Sequence, residues 1–337
     1  MDGTMANWLN QIKAATKKKP MPILSFPSIS LLGCSVRELI GDPNRQAQGM
    51  KRIADRCDTA AAVSMMDLSV EAEAFGSQIR VSDDEVPTVV GRILEDEEDA
   101  DALPVPKVGA GRTGLYIDAI GRAVKEIADR PVFAGVIGPF SLAGRLMDMS
   151  EIMVNCYMEP DMVRKTLQKA TAFLIEYIRG YKAVGAHGVV MAEPAAGLLS
   201  PELNEEFSIP FVKQIVDAVQ DENFLLIYHN CGNTLPLVDG ILSTKAAAYH
   251  FGNAVDMSAM LTLMPKDTLV MGNIDPAGQF RNGTPQSVRE STLSLLESCA
   301  RHQNFVISSG CDIPPLSSWE NIDAFFEAVR DFYDRQR

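Results

Sequence analysis

Two residue types that bind soft metal ions lie two positions apart in the stretch LLIYHNCGN, residues 225–233. On an extended backbone, alternate side chains point to the same side, so His229 and Cys231 can face one ion together. A third candidate ligand, Cys311, lies much later in the chain. One imidazole and two thiolates suit Zn²⁺, and three protein ligands leave a fourth position open for a substrate. The residues alone leave two interpretations open: a catalytic zinc site, or a histidine and cysteines that only pack.

The other four cysteines lie inside apolar or helical segments and are interpreted as packing residues: Cys34, Cys57, Cys156 and Cys299. Six cysteines scattered over 337 residues do not make a disulfide scaffold. A cysteine with a chemical role in this chain is therefore expected to act as a ligand or as a nucleophile.

Composition and charge disfavour several classes of protein. The chain is 46% hydrophobic and 22% charged, which is typical of a globular protein rather than a disordered or fibrous one. Its net charge of -13 repels phosphate backbones and anionic lipids. The sequence has neither an apolar run long enough to span a bilayer nor a signal peptide. We therefore expect a cytoplasmic protein with no nucleic-acid partner and no membrane partner.

Short apolar runs alternate with longer segments of helical period, which is the pattern of repeated βα units around a parallel sheet. Eight strands are predicted, at residues 22–26, 60–66, 132–138, 188–193, 224–229, 248–252, 269–274 and 305–310. We predict an α/β fold, a (β/α)8 TIM barrel that spans residues 1–337 as a single domain. It has an N-terminal helical extension, and the acidic segment 79–107 is an insertion after the second strand. An open doubly wound sheet is disfavoured, because FPSISLLG after the first strand is not a glycine-rich phosphate loop.

Polar residues follow several of the predicted strands. In a parallel barrel the functional groups lie at the carboxyl ends of the strands. These positions hold Asp67, Glu193, His229, Cys231, Asn273, Asp275, Cys311 and Asp312. The remaining histidines, His187, His250 and His302, are given no role in the site. Glu71 and Glu73 lie on the predicted helix VEAEAFG and are interpreted as a partly solvated face.

A series of motifs runs through nearly the whole chain. It consists of DLSVEAEAFG (67–76), GVIGPFSLAGRLM (135–147), HNCGN (229–233), MGNIDP (271–276) followed by GTPQSV, and SSGCDIPPLSSWENIDAF (308–325). In these motifs the sequence resembles the uroporphyrinogen decarboxylase superfamily. Within that superfamily it looks like the zinc-dependent methyltransferases that move a methyl group from a corrinoid protein to a thiol. The resemblance implies a (β/α)8 barrel with its cleft at the carboxyl ends of the strands.

The resemblance also implies which residues bind the metal. The methyltransferase branch carries zinc on an HxC motif and a late cysteine, which His229, Cys231 and Cys311 match. Glu193 or water would supply a fourth, exchangeable ligand. The decarboxylase branch has an aspartate at the position of Asp67, together with an N-terminal arginine-rich motif and a late GHG motif. This chain reads ILSFPSISLLG and GCD at those two places, which argues against a porphyrin substrate.

The resemblance therefore implies a zinc-dependent methyltransferase whose methyl donor is a corrinoid (methylcobamide) on a partner corrinoid protein. The acceptor is a small-molecule thiol such as coenzyme M or homocysteine, and another thiol or a folate stays open. Asp67 and Glu193 are the candidate catalytic residues, and Asn273 and Asp275 are the candidate cofactor-binding residues. A homodimer is compatible with the sequence. Two alternatives stay open: a metal-independent decarboxylase, and a corrinoid-binding homologue without activity.

Overall fold

Seven parallel strands form the inner layer of the computed structural model, which describes residues 3–335. The strands of that part of the chain are β1 (Ala62–Val63), β2 (Gln78–Arg80), β3 (Thr88–Val90), β4 (Val132–Ile137), β5 (Gly188–Ala192), β6 (Leu225–Asn230), β7 (Ala248–Phe251), β8 (Leu269–Ile274) and β9 (Phe305–Ser309). The parallel sheet has the order β1-β4-β5-β6-β7-β8-β9, and β2 and β3 form a separate antiparallel hairpin.

Helices fill the connections between the parallel strands. Within residues 3–335 they are α1 (Met5–Ala14), α2 (Ser28–Leu32), α3 (Val36–Ile40), α4 (Pro43–Arg56), α5 (Val70–Ala74), α6 (Glu97–Ala102), α7 (Thr113–Glu126), α8 (Pro139–Met147), α9 (Met149–Met158), α10 (Pro160–Ala183), α11 (Pro201–Phe207), α12 (Ile209–Val219), α13 (Val238–Ser243), α14 (Met257–Leu263), α15 (Pro285–Cys299) and α16 (Trp319–Arg335). A π-helix, Pro276–Arg281, follows β8. None of the helices in this described part combines the length and hydrophobicity that crossing a bilayer requires.

The parallel strands are buried on both faces, which explains why they read as continuous apolar runs. Side chains on one face join the large cluster under the helices, and side chains on the other face fill the barrel. The interior cluster includes Phe133, Val190, Ile227 and Met271, and Met5 of α1 packs against it. The predicted N-terminal helical extension is therefore present, and it covers one end of the barrel.

The first predicted strand, residues 22–26, is not a strand in the structure, and here the prediction was wrong. The chain still runs between the two ends of the sheet, because Met21 N donates to Ile307 O at 3.0 Å and Ala60 N donates to Pro20 O at 2.9 Å. Pro20 and Pro22 have no N–H to donate, so a regular ladder cannot form. We name residues 20–26 the closing segment. It occupies the eighth position of the wall, and the predicted α/β barrel is confirmed.

The predicted insertion after the second strand is also present. Residues 79–107 contain most of the β2–β3 hairpin and the whole of α6. This segment is tied to α8, because the N–H groups of Ile93 and Leu94 both donate to Leu146 O, at 2.9 and 3.2 Å. Lys165 of α10 forms ion pairs with Glu97 and Asp101 of α6. The insertion therefore lies against the outer helices and leaves the order of the sheet unchanged.

Ser309 replaces a missing ladder bond at the closing segment. Its buried hydroxyl oxygen accepts a hydrogen bond from Ile23 N at 3.0 Å. We expect Ser309→Ala to lower the free energy of unfolding by about 1–3 kcal/mol, because a buried N–H loses its acceptor. Ser298→Ala, at an exposed position of α15, is the control and should change stability by less than about 0.5 kcal/mol. Urea denaturation of both variants measures this, and equal stabilities would contradict the role of Ser309.

Candidate metal centre

The structure brings together the three residues that the sequence predicts as metal ligands. His229 lies near the end of β6, Cys231 follows that strand directly, and Cys311 follows β9. One ligand atom from each lies within 4.8 Å of the other two, and His229 Nε2 is 3.0 Å from Cys231 Sγ. His229 is fully buried, whereas both cysteines are partly exposed. The group therefore opens toward solvent on its cysteine side.

The curl of the sheet makes this convergence possible. Strands β7 and β8 lie between β6 and β9. In a flat sheet three strand spacings would separate β6 from β9 by about 14 Å. The observed spacing of at most 4.8 Å therefore requires the ligands to project into a strongly curved interior. A residue at the end of the last strand can reach the centre because the wall bends around it.

The loops after β5 and β7 hold Cys231 in place. Gly197 in the first loop approaches so closely that a Cβ there would lie 1.8 Å from Cys231 O, which only glycine permits. Gly252 in the second loop lies against the same cysteine, and a Cβ there would be 3.3 Å from Cys231 Sγ. Asn273 fixes that second loop, because its amide donates to Gly252 O at 2.9 Å and to Val255 O at 2.7 Å.

The two predicted cofactor-binding residues are thus engaged within the protein. Asn273 anchors the loop that contacts Cys231, and Asp275 caps the π-helix by accepting from Ala277 N and Gly278 N at 3.0 and 2.9 Å. Their role in corrinoid binding stays a prediction.

His250 contacts the ligand histidine, although its place in the sequence did not predict a role in the site. The parallel register pairs His250 of β7 with His229 of β6, and the two Nδ1 atoms lie 2.7 Å apart. His250 Nε2 lies 2.7 Å from Ser308 Oγ, which donates to Met21 O at 2.8 Å. The contact could have been inferred from the sequence, because each of the two predicted strands has its histidine near its carboxyl end.

The two thiols behave as a coupled pair. A hydrogen bond from Cys311 lowers the pKa of Cys231, against the effect of burial. The same hydrogen bond, together with burial, raises the pKa of Cys311 to about 12. The hydrogen bond between the two thiols therefore favours the thiolate on Cys231 and the thiol on Cys311.

Asp67, a predicted catalytic residue, is fully engaged by neighbouring donors. Arg112, Tyr116 and Ser69 all donate to its carboxylate. Arg112 also bonds Glu73 at 2.6 Å and lies over the ring of Tyr116. Burial raises the pKa of Tyr116 well above its usual value, so it stays a neutral donor. The aspartate is buried, and Arg112 supplies the opposite charge that its burial requires.

Glu193, the second predicted catalytic residue, caps a helix. Its two carboxylate oxygens accept from Phe140 N at 3.0 Å and Ser141 N at 2.6 Å, in the first turn of α8. Burial raises the pKa of Glu193 to about 7, while these N–H groups act in the opposite direction. Glu193 is not part of the three-residue ligand group. Its place as a fourth ligand stays a prediction.

Glu71 is buried, and its interpretation as part of a solvated face was wrong. The residue is 2% exposed, and one carboxylate oxygen accepts from Ile137 N at 3.1 Å. The other oxygen has no partner among the described residues. Helix α5 turns this side of the segment inward against the end of β4, a contact that local sequence does not reveal. Asp312 is similar, since it accepts from Met66 N at 2.8 Å and leaves its second oxygen unpaired.

A family model for uroporphyrinogen decarboxylase (URO-D) matches residues 28–332, which is most of the chain. The chain belongs to the uroporphyrinogen decarboxylase family. The family resemblance drawn from the sequence motifs is thereby confirmed.

The relatives of this chain include two kinds of enzyme. The methylcobamide:CoM methyltransferase MtbA of Methanosarcina acetivorans is 26% identical over 270 residues, covering 79% of this chain and 78% of that protein. A uroporphyrinogen decarboxylase of Coxiella burnetii is 26% identical over 290 residues, covering 81% and 77%. Among solved structures, a methyltransferase from Methanosarcina mazei superposes with a TM-score of 0.85 at 21% identity, over 98% of this chain and 100% of that one. The structural match supports the barrel fold, and the similar identities of the two relatives leave the choice of activity to the site.

The buried carboxyl group of Glu71 predicts a pH-dependent stability. Burial raises its pKa from 4.5 to about 8, so the folded state binds this proton more tightly than the unfolded state. The stabilisation is complete below the unfolded pKa and is lost as the pH rises toward 8 and above. Glu71→Gln removes that loss and keeps an acceptor for Ile137 N. We expect the variant to gain stability over the natural protein between pH 5 and pH 9, by roughly 2–5 kcal/mol.

Urea denaturation at pH 5, 7 and 9 measures this difference. Glu297→Gln, at an exposed position of α15, is the matched control and should leave the pH profile as it is. A constant difference between Glu71→Gln and the natural protein across this range would show that Glu71 is charged in the folded state.

Proposed function

We propose that this chain transfers a methyl group from a methylated corrinoid to a small thiol, using zinc held by His229, Cys231 and Cys311. One observation carries the proposal: these three side chains come within 4.8 Å of one another at the carboxyl ends of β6 and β9. Family membership alone is compatible with both kinds of relative. A soft ligand set that opens to solvent favours chemistry on sulfur.

The residues present fit a zinc ion. Neutral imidazole and two thiolates are among the commonest zinc ligands, and ligand atoms around a tetrahedral zinc lie about 3.5–3.8 Å apart. The ligand atoms of His229, Cys231 and Cys311 are near this spacing, so small side-chain adjustments would bring them to it. When bound, zinc supplies a positive charge that lowers the pKa of an acceptor thiol and keeps it as the nucleophilic thiolate. Three protein ligands leave a position for that thiol.

The protein itself contributes the relative position of the two reactants. The barrel wall fixes the acceptor sulfur at the ligand group, and the open rim admits the methyl donor. In the transfer, the carbon–cobalt bond breaks with its electron pair left on cobalt, and a sulfur–carbon bond forms. The proton of the acceptor thiol passes to solvent, which reaches the ligand group on its cysteine side. Asp67 and Glu193 stay candidates for the catalytic roles, and their hydrogen bonds favour shaping the cleft over receiving this proton.

The remaining parts of the proposal follow from the same chemistry. The donor is a methylcobamide on a partner corrinoid protein, and the acceptor is a thiol such as coenzyme M or homocysteine. Asn273 and Asp275 are proposed to contact the corrinoid through the loops that they hold. We further propose that residues 1–337 act as one domain in the cytoplasm, without nucleic-acid or membrane partners. A homodimer is compatible with this proposal.

The hydrogen bonds of Asp67 and Arg112 argue against the alternative of a metal-independent decarboxylase. Asp67 already accepts from Arg112, Tyr116 and Ser69, so its oxygens are not free to hold pyrrole nitrogens. Arg112 is itself bound to two carboxylates and is not available for the carboxylates of a substrate. The stretch 22–33 contains no arginine that could replace it.

Zinc content and methyl transfer test the proposal. We expect the natural protein to bind about one zinc per chain and to demethylate methylcobalamin in the presence of a thiol, followed by the cobalt spectrum. Cys231→Ser and Cys311→Ser should each weaken zinc binding by more than about 100-fold and abolish the reaction. Cys34→Ser is the matched control, because Cys34 is also partly exposed and lies outside the ligand group.

Full activity of metal-free protein would overturn the zinc proposal. Turnover of a tetrapyrrole carboxylate that a strong chelator does not diminish would favour the decarboxylase. Tight binding of a corrinoid protein with no turnover of any thiol would favour the homologue without activity.

A further inference from the structure

We propose that His250 is a positioning residue that fixes the tautomer and orientation of His229 for metal binding. The inference rests on the proposed metal site and adds a function for a residue outside the ligand group. It is carried by a continuous chain of hydrogen bonds from Met21 through Ser308 and His250 to His229.

The positions of the protons follow from the fixed end of this chain. Met21 contributes a backbone carbonyl oxygen, which can only accept, so the Ser308 hydroxyl must donate to it. The oxygen of Ser308 is then the acceptor for His250 Nε2, which must carry a hydrogen. The two facing Nδ1 atoms lie 2.7 Å apart, so one of them is the donor and the other is the acceptor. His250 already donates through Nε2, and a ring with a single N–H then presents a lone pair on Nδ1.

That lone pair decides the state of the ligand histidine. His250 Nδ1 lies 2.7 Å from His229 Nδ1, so His229 Nδ1 must be the donor in this contact. With its hydrogen on Nδ1, the His229 ring directs the lone pair of Nε2 toward Cys231 Sγ, which lies 3.0 Å away. The tautomer that can bind a metal is thus selected before any metal arrives. A rotated His229 ring would lose its donor contact to His250.

The framework around this chain is rigid. His229 and His250 are directly paired in the register of β6 and β7, with their rings edge to face at a centroid distance of 4.6 Å. Ser308 lies on β9 and is fully buried. Met21 belongs to the closing segment, so the chain of hydrogen bonds joins four parts of the barrel wall. Partners of this kind around a ligand histidine typically contribute about 10- to 100-fold to metal affinity.

Three substitutions separate the contributions along the chain. His250→Leu removes the acceptor while filling a similar volume, and we expect zinc affinity to fall by about 10- to 100-fold. His250→Asn places an amide oxygen near the former Nδ1 and should recover most of that loss. Ser308→Ala frees His250 to adopt either tautomer and should give an intermediate affinity. Competition with a chromogenic zinc chelator measures all three.

A matched control comes from another histidine that accepts a backbone hydrogen bond. His187 Nδ1 accepts from Val132 N at 3.1 Å, at the amino-terminal end of β5 and far along the strand from the metal centre. His187→Leu should leave zinc affinity unchanged. Thermal denaturation of each variant separates loss of affinity from loss of the folded state.

A spectroscopic measurement tests the tautomer directly in the natural protein. Nitrogen-15 NMR of the His229 ring should show a protonated Nδ1 and an unprotonated Nε2 in metal-free protein, so the test does not depend on how well a variant folds. Protonation on Nε2, or natural zinc affinity in folded His250→Leu, would overturn the inference. If the natural protein binds no zinc, the proposed function fails, while the NMR result still decides the role of His250.

Discussion

Closure of the parallel sheet is the constraint on which the metal centre depends. His229 and Cys311 come from strands that have two others between them, so their side chains meet only if the wall curves around a common interior. The last step of closure is made by the closing segment, which lacks a regular ladder because Pro20 and Pro22 cannot donate. Side chains of β9 complete it, since Ser308 bonds Met21 O and Ser309 bonds Ile23 N. Barrel closure and the state of the ligand histidine therefore share one set of contacts.

Buried carboxylates at the cleft act mainly as anchors for the surrounding backbone. Glu193 caps α8, Glu71 bonds the end of β4, and Asp312 ties the loop after β9 to Met66 in the segment that follows β1. Each of them satisfies a backbone N–H at the carboxyl end of the sheet, where strand ladders stop and donors would otherwise be unpaired. Burial acts against these hydrogen bonds, because it raises the pKa of the carboxyl groups and so disfavours their charged form. The loops that carry the site are held by such contacts rather than by apolar packing alone.

Features that depend on residue type and on the local periodicity of apolar residues could be predicted from the sequence. The spacing of His229 and Cys231, and the apolar runs of β4 to β9, are readable because each uses a short stretch of chain. Features that depend on which residues face each other across strands could not be predicted. The burial of Glu71 and the contact between His250 and His229 depend on register and on helix orientation, which local patterns do not specify. The closing segment was wrongly predicted to be a strand, because its composition is apolar and the two prolines that prevent a regular ladder were not taken into account.

The state of the polar groups explains why sulfur chemistry suits this cleft. The buried charge of Asp67 is neutralised by Arg112, and both side chains are saturated with hydrogen bonds. The two cysteines of the ligand group are partly exposed, and beside them the buried His229 ring directs Nε2 toward Cys231 while His250 holds its Nδ1. A substrate rich in carboxylates would find no free cation in this group, whereas a metal ion would find its ligands close together. In this chain the ends of β6 and β9 therefore bring soft ligands together at the cleft.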